Sequence, residues 1–509
     1  MHRLFKILTS RMMIIAVLIL IQFWFLFMWF YRAALTWQLS PLFNAVAIAF
    51  AIIILNRYED SEYKIVWSIL ILAVPIVGVP LYLVCGNKRM PKKLSKGTSQ
   101  ASDKMRELLQ QDGSLMHKLA WEHPQVHKMF AYALKTSRFP VYDDTKARYF
   151  TSGEEWFPVL LEELKKAEHF IFMEYFIIDE GKMWNSVLEI LKEKAAAGVE
   201  VKLIYDDFGC ATTLPYRYDK KLNAMGIETY RFNRLRPALM IQMNNRDHRK
   251  ICVVDNRVGF TGGVNLADEY INLKTRYGYW RDSVLMLEGE AVWSLSDMFL
   301  SMYSYLKPDD TAIDYEKYHI MPEPMGYHGL FQPFSDTPTD DSDVGLSMHL
   351  NIVNHARKYV YVNTPYLVLN ADMLRALTLS AETGVDVRIL VPHIPDKRYV
   401  FSITRSNYYQ LLINGVRIYE FTPGFYHSKA IVSDDSLAIV GSVNTDYRSY
   451  FLHFEDGVLM FDSPEVLQIR KDFEQALERS HEVTLEEVEN TNPLVRVFRA
   501  ILRLMAPLF

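Results

Sequence analysis

Residues 169–179 read HFIFMEYFIID and residues 358–367 read KYVYVNTPYL, and the succession of elements after each of them decides the fold. After the first come a helical run, Trp184–Ala197, a glycine at 198, the apolar run Val199–Asp207 (VEVKLIYDD) and, past another helix, Gly226–Asn233 (GIETYRFN). After the second come Ala371–Thr383, Gly384, Val385–His393 (VDVRILVPH) and, beyond Arg398–Asn414, Gly415–Phe421 (GVRIYEF). Short, nearly continuous apolar strands alternating with helices are strands buried on both faces of a helix-covered sheet. The order matches element by element, so the body is an internal duplication of the α/β class, with two similar lobes expected. The proline-rich stretch 322–339, with Pro322, Pro324, Pro333 and Pro338, is read as the segment between them.

Chemistry-bearing residues fall at the same place in both copies. The first reads His248-Arg-Lys250-Ile-Cys-Val-Val-Asp255 and then Gly262-Gly-Val-Asn265; the second reads His427-Ser-Lys429-Ala-Ile-Val-Ser-Asp434 and then Gly441-Ser-Val-Asn444. Side chains two apart on a strand share a face, so each His and Lys point together into one site. Asp255 and Asp434 complete the motif at the opposite parity and are assigned to pinning the next hairpin. One such match can arise by chance. Two copies, each extended by Gly-x-x-Asn at one distance and each after the same strand of a duplicated lobe, do not.

The 509 residues are enough for more than one core. With 56 Lys and Arg against 60 Asp and Glu, the net charge is −4, which argues against a polybasic nucleic-acid coat and against an acidic solvating tail. Cys85, Cys210 and Cys252 exclude a disulfide framework and lack the spacing of a zinc site, so they are read as ordinary thiols. Apolar residues concentrate in the first 86 positions. Met12–Tyr31, Leu35–Leu55 and Ile65–Cys85 carry no charge, and each is long enough to cross a bilayer as a helix, so residues 1–86 are expected to be a membrane anchor of three spans. An inside N-terminus would leave five basic residues inside (Arg3, Lys6, Arg11, Arg57, Lys64) and six outside (Arg32, Lys88, Arg89, Lys92, Lys93, Lys96), so counting barely decides orientation. The cluster directly after the third stretch and the lack of paired cysteines favour a cytoplasmic body on a multi-pass cell-membrane protein. Residues 87–130 read as a basic linker, 131–321 and 340–485 as the two lobes, and 486–509 as an amphipathic helix in which Arg496, Arg499 and Arg503 recur at helical spacing among apolar residues. The tail is expected either to lie on an anionic bilayer or to pack on the second lobe.

The paired His-x-Lys-x4-Asp motifs resemble those of the phospholipase D superfamily, and their surroundings are similar to bacterial cardiolipin synthases. The likeness extends to Pro75-Ile-Val-Gly78, Glu174-Tyr175, Tyr205-Asp-Asp-Phe-Gly209, Asn244-Asn-Arg-Asp-His-Arg-Lys250, Asp268-Glu-Tyr270, Trp280-Arg-Asp282 and Asn444-Thr-Asp-Tyr-Arg-Ser449. Two departures are visible: Ser283-Val284 stand where the family usually has Thr-His, and His453 where it has Asn. The resemblance implies two phospholipase D-like α/β lobes with mixed sheets sandwiched by helices behind the N-terminal anchor. It also implies a phosphatidyltransferase that moves a phosphatidyl group from one phosphatidylglycerol to another, acting on anionic membrane lipids.

A phosphodiester resists attack because its anionic oxygens repel nucleophiles. Lys250 and Lys429, with Asn265 and Asn444, supply donors to those oxygens, so neither metal nor cofactor is required. One neutral imidazole attacks phosphorus and the other, protonated, serves the departing alkoxide. By resemblance His248 is the nucleophile and His427 the acid/base; the residues themselves leave the order open. Asp282 and Glu455 match the family's positions for carboxylates that hold the other ring nitrogens. Glu174, Asp206 and Asp207 are weaker candidates for pocket walls or acceptor-hydroxyl contacts. A hydrolase or a transferase using another alcohol shares this chemistry; a nuclease would show more positive charge, and a non-catalytic scaffold would lack one of the four His and Lys residues.

Overall fold

The computed structural model describes residues 40–57, 59–86, 108–235, 244–307, 313–320, 326–339 and 342–508, with scattered helical residues between 13 and 28. Among them, no helix is long and apolar enough to cross a membrane. Half of the stretch Met12–Tyr31 lies outside the described residues, and those described are helical. Leu35–Leu55 is helical over α1 (Ser40–Leu55), which at 1.5 Å per residue is about 24 Å long. Ile65–Cys85 is not one helix. It is divided between α2 (Ser61–Ala73) and α3 (Pro75–Cys85), which fold back on each other so that Tyr63 Oη donates to the Gly86 carbonyl at 3.0 Å. Pro75 has no amide hydrogen and disfavours a helical residue before it, and Val74 accordingly leaves the helix at φ −137° and ψ 71°. The expectation that Ile65–Cys85 crosses as a single helix is corrected here, because its two helices double back on each other; the described residues lend no support to a three-span, multi-pass anchor.

Residues in the expected linker also belong to the body. α4 (Gly113–Glu122) and α5 (Pro124–Thr136) bury Leu115, Leu119, Val126, Met129 and Phe130 in the same core as Val344, Ile352 and Val360 of the second lobe.

The first lobe contains β1 (Thr145–Phe150), α6 (Gly153–Lys165), β2 (Phe170–Tyr175), α7 (Lys182–Ala196), β3 (Glu200–Asp206), β4 (Ile227–Phe232), β5 (Arg246–Asp247), β6 (Lys250–Val254), β7 (Val258–Gly262), β8 (Tyr279–Arg281), β9 (Val284–Gly289) and α8 (Val292–Leu306). The second contains β10 (Leu330–Asp336), α9 (Val344–His355), β11 (Tyr359–Asn363), α10 (Ala371–Glu382), β12 (Asp386–Pro392), α11 (Arg398–Ser406), β13 (Arg417–Phe421), β14 (Gly424–Tyr426), β15 (Ala430–Ser433), β16 (Leu437–Gly441), β17 (His453–Phe461), α12 (Pro464–Leu477) and β18 (Ser480–Glu482). Sheet order is β1-β9-β7-β6-β2-β3-β4 in one lobe and β10-β17-β16-β15-β11-β12-β13 in the other, with β18 added at its edge. In each sheet three successive strands, β2-β3-β4 in one and β11-β12-β13 in the other, pair in parallel and the other neighbours pair antiparallel, so both sheets are mixed.

Local sequence explains the repeated unit. β2 is FIFMEY, buried on both faces as a central strand requires. α6 is capped by Ser152, which accepts from the Glu155 amide, and α10 by Asn370, which accepts from the Met373 amide. α7 and α10 each end at a glycine with positive φ, 93° at Gly198 and 96° at Gly384, where a side chain would be strained. β10 lies within the proline-rich segment expected to join the lobes; Pro333 is tolerated because β10 is the outermost strand of its sheet. The two sheets face each other across one core that holds Phe172, Phe299, Tyr361 and Phe473, with α8 and α12 between them. Outer helices, including α6 and α7 on one side and α9 and α10 on the other, complete the sandwich.

Candidate active site

Each histidine is carried into the lobe interface by a short strand that pairs with the opposite lobe. β5 pairs in parallel with the start of β17, and the His248 amide donates to the Phe454 carbonyl at 2.9 Å. β14 pairs in parallel with β8, and the His427 amide donates to the Arg281 carbonyl at 2.7 Å. In both cases the next residue of the partner strand is a carboxylate. The acids are therefore exchanged: His248 Nδ1 lies 3.0 Å from both oxygens of Glu455, and His427 Nδ1 lies 2.6 Å from Asp282 Oδ2. Both carboxylates are fully buried. With Nδ1 engaged, Nε2 is the nitrogen each ring has left for substrate.

The two histidines line one cavity of about 520 Å³, together with Asn265 and Asn444. Aromatic rings surround both imidazoles: Phe176, on the cavity wall, meets His248 edge-on at 5.0 Å, and Trp280, also on the wall, and Phe425 behind it lie 5.1 and 5.5 Å from His427. Lys250 and Lys429 are buried, and each donates through Nζ to the carbonyl of the histidine two residues before it. Burial pushes Lys250 down to about 8 and Lys429 down to about 7. Burial, followed by Lys250 and Lys429, holds His248 well below the ordinary imidazole range. His427 is pushed down to about 4 by burial and Lys429, with Asp282 opposing the shift. These shifts favour the neutral form of both imidazoles, within a positive field that a bound phosphodiester would offset.

Asp255 and Asp434 are not in this cavity. Each ends its strand opposite the Lys and accepts three backbone amides at the start of the neighbouring strand. Asp255 takes those of Glu168, His169 and Phe170 at 2.7–2.8 Å, and Asp434 those of Arg357, Lys358 and Tyr359 at 2.7–2.9 Å. Strand parity had placed these carboxylates on the hairpin after the motif. Only their backbones serve it: Asp255 and Asn256 both have φ 52°, and the Arg257 amide closes the turn on the Val254 carbonyl at 3.0 Å.

Asn265 is already occupied, accepting from the Ile177 amide at 2.9 Å and donating to Tyr270 Oη at 2.7 Å. Asn444 has no partner on its buried Oδ1. The weaker candidates stand apart from the cavity. Glu174 is buried against Arg249 at 2.5 Å, Asp206 accepts the Phe208, Gly209 and Asp247 amides, and Asp207 pairs with Arg231 at 3.4 Å. Of the two departures from the resembled pattern, Ser283 Oγ bonds Ser428 Oγ across the lobes at 2.7 Å, and His453 lies against His248 with ring centres 5.4 Å apart. Sequence reasoning missed Arg448 as a site residue, although it lies within the Asn444–Ser449 motif. It reaches the cavity wall and donates to His453 Nε2 at 3.3 Å.

Ser442 and Gly263, the second residues of the two Gly-x-x-Asn turns, treat the acids differently. Ser442 Oγ donates to Glu455 Oε2 at 2.5 Å, whereas Gly263 makes room for Asp282, whose Oδ1 would be 2.0 Å from a Cβ there.

Comparison with known proteins gives the same reading of the chain. The sequence profile described as "Cardiolipin synthase, PLD-like domain" matches residues 160–280 and 350–477, one segment per lobe, and that described as "Phospholipase_D-nuclease N-terminal" matches 45–87. A cardiolipin synthase of Alkalihalophilus pseudofirmus is 32% identical over 94% of this chain and 95% of its own. The chain belongs to the cardiolipin synthase family of the phospholipase D superfamily. Other members of that family similar to it include a cardiolipin synthase from Geobacillus sp. strain WCH70, 32% identical over 97% of this chain and 98% of its own. A Streptococcus mutans protein without an assigned function is 40% identical over 89% of this chain and 98% of its own. Among solved structures, the phosphatidylserine synthase of Haemophilus influenzae superposes with a TM-score of 0.56 at 14% identity, covering 75% of this chain and all of that one, which shows a common fold.

Proposed function

We propose that this family member is a membrane-associated cardiolipin synthase that transfers a phosphatidyl group from one phosphatidylglycerol to another and releases glycerol. The observation that carries the reading is the meeting of two His–carboxylate pairs, each built across the lobe interface, in one cavity with two buried lysines nearby. His248 is the nucleophile. Its Nε2 attacks phosphorus, the bond to the glycerol oxygen breaks, and His427 Nε2–H delivers the proton to that oxygen. The second phosphatidylglycerol then gives its hydroxyl proton to His427 while its oxygen takes the phosphatidyl group from His248. His427 suits the proton-carrying role because Asp282, at 2.6 Å, opposes the fall of its pKa. Lys250, Lys429 and Asn444 balance charge on the non-bridging oxygens, and Asn265 can join them only by releasing Tyr270.

Because the phosphohistidine conserves the broken phosphodiester, no nucleotide is needed. The reaction is tested by a product balance in detergent with phosphatidylglycerol labelled in its head group: one glycerol is expected for each cardiolipin formed, with little phosphatidic acid and no response to a cytidine nucleotide. Phosphatidic acid as the main product while lipid acceptor is plentiful would make the protein a hydrolase instead.

A further inference from the structure

The carboxyl-terminal helix α13 (Pro493–Met505) forms a second site whose chemistry the transfer reaction does not use. With α11 it borders a cavity of about 260 Å³ lined by Arg405, Arg496, Arg499 and Arg503, of which Arg496 is exposed and Arg499 and Arg503 half-buried, with no carboxylate among the lining residues. Arg405 is neutralised by Glu420, at 2.9 and 2.7 Å, and Arg503 donates to Gln410 at 2.9 Å. Arg499 has a buried Nε without a hydrogen-bond partner. Burial and the adjacent Arg405 hold its guanidinium below the ordinary range, with Tyr408 and Glu420 opposing the shift.

The other face of α13 is apolar and open. Leu494, Val497, Phe498, Ile501 and Leu504 are 43–79% exposed. The helix end ties this face to two others: Ala506 lines the catalytic cavity, and Leu508 packs on the apolar hairpin of α2 and α3. Ile65 and Ile69 of α2 are themselves about half exposed. A helix with arginines beside an open apolar face lies at the boundary between headgroups and acyl chains.

We propose that the arginine cavity seats the phosphodiester headgroup of an anionic phospholipid, distinct from the substrate lipids, and that this docks the mouth of the catalytic cavity against an anionic bilayer. The lipid is favoured over free phosphate because the apolar face beside the cavity provides for acyl chains that phosphate does not have. The proposal stands whether or not phosphatidyl transfer to a second phosphatidylglycerol is the reaction, since its first readout is binding.

The test uses the full chain in detergent and in vesicles. A phosphatidylmethanol bearing a diazirine in one acyl chain is cross-linked to the protein and the labelled peptides are mapped. Labelling is expected on α11 and α13 as well as at the catalytic cavity, about tenfold above that with a phosphatidylcholine probe of the same chain. Replacing Arg496→Gln together with Arg499→Gln should remove only the α11 and α13 label. The same variant should lose about tenfold in rate on phosphatidylglycerol in bilayers and stay near wild type on the detergent-dispersed lipid. Arg496→Glu alone, at an exposed position that does not threaten folding, should show the same split. Equal labelling by phosphatidylcholine, complete competition by millimolar inorganic phosphate, or equal loss in detergent and bilayer would each overturn the proposal.

Discussion

The exchange of carboxylates between lobes predicts which step fails when each is removed. In the adduct the His248 ring carries positive charge, and Glu455 faces it at 3.0 Å from a fully buried position. Two unit charges at that distance with an effective dielectric of about 20 attract by about 5 kcal/mol. At 1.36 kcal/mol per decade, Glu455→Gln should slow formation of the adduct by about 10³–10⁴-fold. Asp282→Asn removes a comparable attraction at 2.6 Å from His427, so its overall loss should be of the same order. The two variants separate when the donor carries a good leaving group, such as a p-nitrophenyl ester of phosphatidic acid, whose departure needs no proton. In a rapid-quench single turnover, Asp282→Asn should recover most of its adduct-forming rate with that donor, and Glu455→Gln should not. The reverse result would mean that each acid serves the histidine of its own lobe in chemistry, or that the nucleophile is His427, and the assignment would fall.

Three further outcomes are expected. Asp255→Ala leaves the Glu168, His169 and Phe170 amides without an acceptor and should destabilise the protein by about 2–4 kcal/mol, while activity per folded molecule is kept; thermal unfolding beside active-site titration measures both, and a catalytic defect without a stability loss would contradict the placement. His349 is buried with only Tyr450 Oη at Nδ1 and is pushed down to about 3, so between its ordinary value and that one the unfolded chain binds the proton first. Stability should therefore fall with pH below about 6.5, by up to about 1.4 kcal/mol per unit, and His349→Gln should flatten that limb in urea titrations from pH 7 to 4.5; parallel curves would refute it. Activity should survive EDTA, because lysine and asparagine donors do the work of charge neutralisation; loss restored by one divalent ion would overturn that mechanism.

The motif residues were legible from sequence because their physics is local. A His and a Lys two apart declare one face, a glycine after a helical run declares a helix end, and repetition of both at one spacing exposes the duplication. Local rules also misled where distant partners decide. Ile65–Cys85 reads as one apolar span, yet Pro75 and the meeting of Tyr63 with Gly86 turn it into a hairpin. Residues 113–136 read partly as linker because the apolar surface they bury belongs to a lobe more than 200 residues later. The carboxylates of Asp255 and Asp434 bond amides 75–87 residues earlier in the chain, which strand parity does not reveal.

Sequence by itself determined the repeat, the two His–Lys pairs and, through likeness, the two acids that accompany them. Only the tertiary structure decided which acid holds which histidine. A histidine and the acid of the other lobe meet because β5 lies parallel to β17 and β14 parallel to β8, so that His248 is brought to Glu455 across 207 residues and His427 to Asp282 across 145. That pairing is set by how two twisted sheets pack face to face, a property of both lobes together that neither repeat encodes alone.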